Sequence, residues 1–364
     1  MERETANANA PRMRRGSVLA AVLIAVALAA LWPAAWARSN HSAEALLGAG
    51  TKGPARELIT RELPDAPLFD GLGHDGQQFY AVARHPFDPP AARDQLDSPA
   101  YRYRRILFPA LAGTLAPNGG RALVFALLGV SLAGVALGAW AISRLPGTPA
   151  WLPVVVGLTP GVGVALALSL GDALATGFAL AAVAASLRRR WAWLTVALVA
   201  AALTRETLIL VAFGLLFTPG LPLRWKAASL LSPLAAAGSW ALWSAHALGT
   251  PALDGSGQLG LPFVGWLQST GTPQGQLVGL LTLVVLAVGA WNTRTSDRGV
   301  AIVLGLHALL MACLADDVTS SWVNTTRVAA PVFALAVWAI VGQPTRTADA
   351  SAATADPATS LVTA

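Results

Sequence analysis

Two short strings hold most of the residues able to do chemistry. The first, Phe69-Asp-Gly-Leu-Gly-His-Asp-Gly-Gln-Gln-Phe-Tyr-Ala-Val-Ala-Arg-His-Pro-Phe87, sets Asp75 in a turn between Gly73 and Gly76. Glycines there let the backbone come close to a ligand, which puts the carboxylate within reach of a reacting group. The spacing predicts a short helix from Gln77 to Ala83, with Asp75 near its N-terminus and Phe79, Val82 and Ala83 pressing on the membrane surface. The second string, Asp97-Ser-Pro-Ala-Tyr-Arg-Tyr-Arg-Arg-Ile-Leu-Phe-Pro109, interleaves Arg102, Arg104 and Arg105 with two tyrosines. Guanidinium groups chelate phosphate, and tyrosine rings sit well at the level of lipid headgroups. A third candidate is Arg205, followed by Glu206, in Ala201-Ala-Leu-Thr-Arg-Glu-Thr-Leu208. Ionisable side chains between apolar runs are functional by default.

The elements that must position these groups are membrane helices. Of the 364 residues 55% are hydrophobic and only 12% charged, against about a quarter charged in soluble domains. The net charge of +6 is held in short basic clusters between apolar runs. That is the pattern of cytoplasmic loops at an anionic leaflet, and it argues against a nucleic-acid partner. The single cysteine, Cys313, excludes an intrachain disulfide and a Cys-based metal site. No P-loop, GxSxG or HExxH string occurs.

Apolar runs fall near 17–36, 121–142, 150–169, 173–187, 191–203, 207–221, 227–248, 275–291, 300–315 and 327–341. They predict an all-α polytopic fold with about ten spans. Ile106–Ala116 is too short to span and contains Pro109. Laid along the interface, it leaves Arg12, Arg14, Arg15, Arg144, Arg188–Arg190, Arg224, Lys226, Arg294, Arg298 and Arg346 on one side, as the positive-inside rule demands. Both termini are then cytoplasmic, and the chain divides into an N-terminus and first span (1–37), an outer loop (38–120), a helical core (121–341) and a polar, disordered tail (342–364). The first apolar run, ending in Ala35-Trp36-Ala37, also resembles a cleavable signal peptide. Polar chemistry concentrates on the outward-facing side.

The pattern G-x-DGQ-x-F/Y-Y followed by N/D-x-P-A-Y-R-Y-x-R-I-L-x-P resembles bacterial proteins described as forming cell-surface glycopolymers. These are similar to the GT-C superfamily of polytopic glycosyltransferases, which use polyprenyl-phosphate sugars. The DGQ here is followed by a second glutamine, Gln78, and not directly by an aromatic. The resemblance implies an acid in the first outer loop, matched by Asp75, then interfacial helices, matched by Ile106–Ala116. It also implies a basic residue outside a later hairpin, matched by Arg205. It implies an inverting transfer from a polyprenyl-phosphate sugar to a glycan or glycolipid acceptor on the outer face of the plasma (inner) membrane. Asp75 would be the general base, and Arg205, Arg102, Arg104 and Arg105 would bind the phosphate. His74, Gln77 and Tyr80 would be substrate contacts. No cofactor is expected, and a divalent-metal requirement is left open.

Each residue also has a plainer role. Asp75 can be an N-cap or Asx-turn residue, and Asp70 rivals it as base. The 102–105 arginines can anchor a helix to headgroups, and Arg205-Glu206 can be a self-paired turn. Asp172 and Arg327 are weaker candidates of the same kind as Arg205. Asp316-Asp317 reads as a solvated loop before it reads as a metal pair, and His246 and His307 as packed side chains. Two whole-protein alternatives belong to other classes: a transporter or flippase of lipid-linked intermediates, and a non-catalytic subunit of a polymer-assembly complex. A transporter tends to show inverted repeats and midplane charges, and neither is visible in the sequence.

Overall fold

The computed structural model describes Met13, residues 15–252 and residues 258–342. Arg12, Arg14, Arg346 and the polar tail lie outside the described residues. Among the described residues the fold is all helix, and the only β-type pairings are isolated bridges such as Ala49 with Gly73 and Gly50 with Phe69.

Four helices are long and apolar enough to cross a membrane: α1 (Arg15–Ser39), α6 (Gly120–Ile142), α14 (Pro273–Thr293) and α16 (Trp322–Val341). The other runs also fall on helices, but these are shorter or more polar. They are α9 (Asp172–Leu187), α10 (Trp191–Thr204), α11 (Ile209–Leu215), α12 (Leu223–Leu248) and α15 (Arg298–Ala312). The run at 150–169 is two pieces, α7 (Val154–Leu158) and α8 (Pro160–Ala167). The break is at Thr159, which is extended because the proline ring behind it disfavours the helical conformation.

The helices touch where side chains are absent. A Cβ on Gly134 of α6 would come within 2.4 Å of the Leu174 backbone in α9, and one on Gly177 within 2.5 Å of the Gly134 carbonyl. Glycines facing one another let two backbones approach closely, which compensates for the lack of a hydrophobic drive between helices in lipid. At one end of the bundle Trp338 donates to the Pro146 carbonyl (3.0 Å) and Ser186 bonds Thr218 (3.0 Å), beside the basic loops around Arg144, Arg188–Arg190 and Arg224.

The segment read from the sequence as an outer loop folds as a layer of short helices: α2 (Arg56–Glu62), α3 (Gly76–Arg84), α4 (Pro99–Tyr103) and α5 (Leu107–Leu115). The expectation that Phe79, Val82 and Ala83 press on the membrane is not met. All three are buried in the protein core, with Phe79 edge-on to Phe108 of α5 (5.5 Å between ring centres) and Ala83 beneath Gly113. Helix α5 takes the position expected to be lipid, because its own apolar face, Phe108 and Ala112, needs the same cover. Leu111 and Leu115, at the edge of that face and at the helix end, stay exposed, as suits a helix at an interface.

The α6–α9 crossing gives a stability test. Gly134→Leu should cost roughly 1–3 kcal/mol through overpacking, read as a lower melting temperature in detergent. Gly129→Leu, where a side chain meets open space, should leave the melt nearly unchanged.

Candidate functional site

The turn carrying Asp75 is built by backbone pairing. Phe69 donates to Ala49 and Thr51 donates to Phe69 (both 2.8 Å), Lys52 donates to Gly71 (2.8 Å), and His74 donates to Gly48 (2.8 Å). Gly73 has φ +72°, and a Cβ there would meet the Gly50 nitrogen at 2.4 Å, so only glycine fits. Gln77, fully buried, donates to the carbonyls of Leu72 (2.7 Å) and His74 (3.2 Å) and so fixes the turn from beneath.

Asp75 stands at the N-cap of α3, yet its side chain makes no capping bond. Its carboxylate instead meets Arg102 Nη1 at 3.0 Å and Arg327 Nη2 at 3.4 Å. Arg102 is held from behind by Asp97 through two bonds (2.9 and 2.7 Å), and Asp97 is clamped by Gln78 through two more (2.9 and 3.0 Å). Arg327, at the start of α16, donates Nε to Asp172 at 2.8 Å, and the other oxygen of Asp172 pairs with Arg205. A continuous chain results: Asp97, Arg102, Asp75, Arg327, Asp172, Arg205. Alongside it Arg105 grips Glu206 with two bonds (2.9 and 2.7 Å) and contacts the Tyr101 hydroxyl, which donates to Gln258 at 3.2 Å.

Four arginines thus face four carboxylates, and Arg205 and Glu206 pair with other segments, not with each other. The arginine side chains are 7–10% exposed, whereas Asp75 is 26% exposed, so the carboxylate lies at the mouth and the cations beneath it. Burial alone would raise the Asp75 pKa. The charges of Arg102, Arg327 and Arg105 outweigh it and bring the carboxyl down from 3.8 to about 2.

Not every expected residue joins this cluster. Tyr80 is fully buried on the other side of α3, where its hydroxyl donates to Glu62 (2.6 Å) and accepts from the Gly120 nitrogen (2.7 Å). Gln77 supports the turn and does not line the mouth. Arg104, half-buried, lies over the Tyr101 ring at 5.1 Å. His74 is exposed at the rim against Gly48, and Asp70 is exposed on the preceding turn outside the network. Asp317 bonds its own turn at Val318 (2.9 Å), and His307 is buried with Nδ1 against the Val303 carbonyl (2.8 Å). Sequence reasoning missed Asp97 and Gln78 and underweighted Asp172 and Arg327. Asp172 and Arg327 are ionisable groups at the ends of apolar runs, which is the signal that singled out Arg205.

Two cavities adjoin the outer layer and the helices. One, about 200 Å³ and mainly apolar, is lined by Thr159, Gly161, Leu281, Val285, Thr326 and Phe333 and begins one residue from Arg327. A larger one, about 310 Å³, opens beside Glu44 and Arg121 and shares no residue with the network.

The folded-state pKa of Asp75 lies below its ordinary value, so its charge contributes stability above about pH 4 that is lost as pH falls toward 2. The melting temperature of the protein should therefore exceed that of Asp75→Asn at neutral pH, with the gap closing as the pH falls from about 4 to about 2. Asp172→Asn should be far more damaging, by about 3–5 kcal/mol, because it strands the buried Arg205 and leaves Arg327 with Asp75 alone. Equal melts for the two variants at pH 7 would contradict this account.

No protein-family model, no curated protein and no solved structure matches the chain, so the chemistry of the site is read from its own residues.

Proposed function

We propose that the chain is a membrane glycosyltransferase, similar to the GT-C enzymes, that moves a sugar from a polyprenyl-phosphate donor to a glycan or glycolipid acceptor at the outer face of the plasma membrane. The observation that carries this reading is the geometry of Asp75: a quarter-exposed carboxylate held between two buried arginines. A general base must reach the acceptor hydroxyl, and cations must face the phosphate that leaves, which here would trail a lipid. The apolar cavity between α8, α14 and α16 would take part of that tail.

In the proposed step the acceptor oxygen attacks the anomeric carbon while its proton passes to Asp75. The bond from that carbon to the phosphate oxygen breaks, and the electron pair leaves with the polyprenyl phosphate. Arg102 and Arg327 face the developing charge, with Arg105 and Arg205 behind them. A carboxylate with a pKa of about 2 is a poor base at rest. The incoming phosphate competes for the same guanidinium groups, which weakens their hold on Asp75 and raises its basicity. Donor binding therefore activates the base.

The topology that suits this reading has about ten spans with both termini cytoplasmic. In that topology the basic loops around Arg144, Arg188–Arg190 and Arg224 would be cytoplasmic, as the positive-inside rule asks. Short helices are tolerated within such a bundle where neighbouring helices cover their ends.

The test replaces Asp75 with Asn in a strain lacking the native copy, with membrane level checked in parallel. Transfer from a polyprenyl-phosphate sugar should fall by roughly 10²–10⁴-fold at normal protein level. Arg327→Gln should raise the donor KM as well. Full polymer in the Asp75→Asn strain would remove the mechanism and favour a transporter or a non-catalytic assembly subunit.

A further inference from the structure

The outer segment from Gln258 to Gln268, between α12 and α14, ends in the short helix α13 (Val264–Gln268) and has an unusual surface. Leu259, Leu261, Phe263, Val264 and Leu267 are all exposed, Leu261 to 72% and Leu267 to 86%. Much of its backbone is bonded inward. Gly260 and Phe263 donate to the carbonyls of Cys313 (2.8 Å) and Ala312 (2.6 Å), Ala315 donates to Gln258 (3.0 Å), and Thr319 donates to Gly265 (2.8 Å). Trp266 donates its indole N–H to Met311 at 2.8 Å and is itself buried. An outer loop in water would show the opposite arrangement.

Two further observations identify what covers the apolar side. No charged residue occurs between Asp254 and Arg294, so the uncharged stretch runs without interruption from this segment into α14, one of the helices able to cross a membrane. The segment is also tied to that helix through its tryptophan. A Cβ on Gly279 would come within 2.4 Å of the Trp266 ring, and Gly279 lies six residues, roughly 9 Å, beyond the start of α14. The Trp266 ring therefore sits at the depth of the second turn of the span, on a helix whose other side exposes Leu277, Leu280 and Leu281.

We infer that residues 258–268 form a re-entrant segment inserted into the outer leaflet of the bilayer, with Leu261 and Leu267 in contact with acyl chains. Irregular backbone is tolerated at that depth only where protein satisfies its polar groups, and the bonds to 311–315 and 319 do so. The segment's first residue reaches the arginine network, because the Gln258 side chain accepts from Tyr101, which contacts Arg105. One edge of the network is thereby fixed to the lipid surface. This inference is independent of the transfer reaction.

The test uses the full chain with Cys313→Ser, so that one introduced cysteine carries an environment-sensitive fluorophore. Single cysteines replace Leu261 and Leu267, with Val284 on α14, 55% exposed, as the lipid-facing control and Asp94, exposed on the outer layer, as the water-facing one. These are exposed positions, and size-exclusion profiles confirm folding. In nanodiscs of phosphatidylcholine and phosphatidylglycerol, labels at 261 and 267 should be quenched by acyl-brominated lipid to near the level at 284. They should be shielded from aqueous iodide relative to 94. Iodide quenching that matches the Asp94 label would overturn the inference. Quenching by neither agent, the mark of a second copy seated on the face, would overturn it as well.

Discussion

A buried guanidinium must have a carboxylate beside it, and most of the outer architecture follows from that constraint. Arg102, Arg105, Arg205 and Arg327 are each almost withdrawn from solvent, and a charge taken out of water without a partner costs several kcal/mol. The partners come from five separate parts of the chain: the 70–76 turn, the 97–105 string, the start of α9, the 205–206 corner and the start of α16. The close approach that brings them together depends on missing side chains. A Cβ on Gly76 would strike the Leu168 carbonyl at 2.2 Å, and one on Gly161 the Thr326 carbonyl at 2.2 Å. The first contact seats the Asp75 turn on the bundle, and the second seats the start of α16 against α8.

The residues that could be read from the sequence are those whose neighbours are local. The glycine turn, the short helix after it and the helical nature of all ten apolar runs follow from patterns of a few residues. Pairings do not: Asp75 and Arg327 are 252 positions apart, and nothing in composition or period links them. The misplacement of Tyr80 was open to local reasoning. At 100° per residue, Gln78, three positions after Asp75, returns to the same side of the helix, while Tyr80, five positions on, falls roughly 140° away. Gln78, the departure from the expected motif, therefore reaches Asp97 behind Arg102, and Tyr80 reaches Glu62. The mistaken membrane contact of Phe79 and Val82 has a different cause. An apolar face says that it will be covered, but lipid and protein are equally apolar covers.

The way the network shares its charges sets which carboxylate can afford to become neutral. If Asp172 lost its charge Arg205 would lose its ion pair, and if Glu206 lost its charge so would Arg105, because among the described residues neither arginine has a second carboxylate in ion-pair contact. Arg102 and Arg327 differ in each having a second carboxylate, Asp97 or Asp172, besides Asp75. Asp75 can therefore take a proton without leaving any arginine unpaired. Asp97 satisfies the same condition, but two bonds from Gln78 hold it behind Arg102.

That freedom matches the demand of the proposed transfer. A sugar linked through a phosphodiester brings one negative charge, and the polyprenyl phosphate that departs has gained another. The gain equals the charge Asp75 gives up on taking the acceptor proton. Negative charge moves from a carboxylate to a phosphate that faces the same two arginines, and the sum within the site does not change. No counterion has to be recruited from water, and no arginine has to leave its rear carboxylate. A site built only to pin helix ends together gains nothing from leaving one acid redundant at its mouth, whereas a site that must accept a proton beside a departing phosphate requires it.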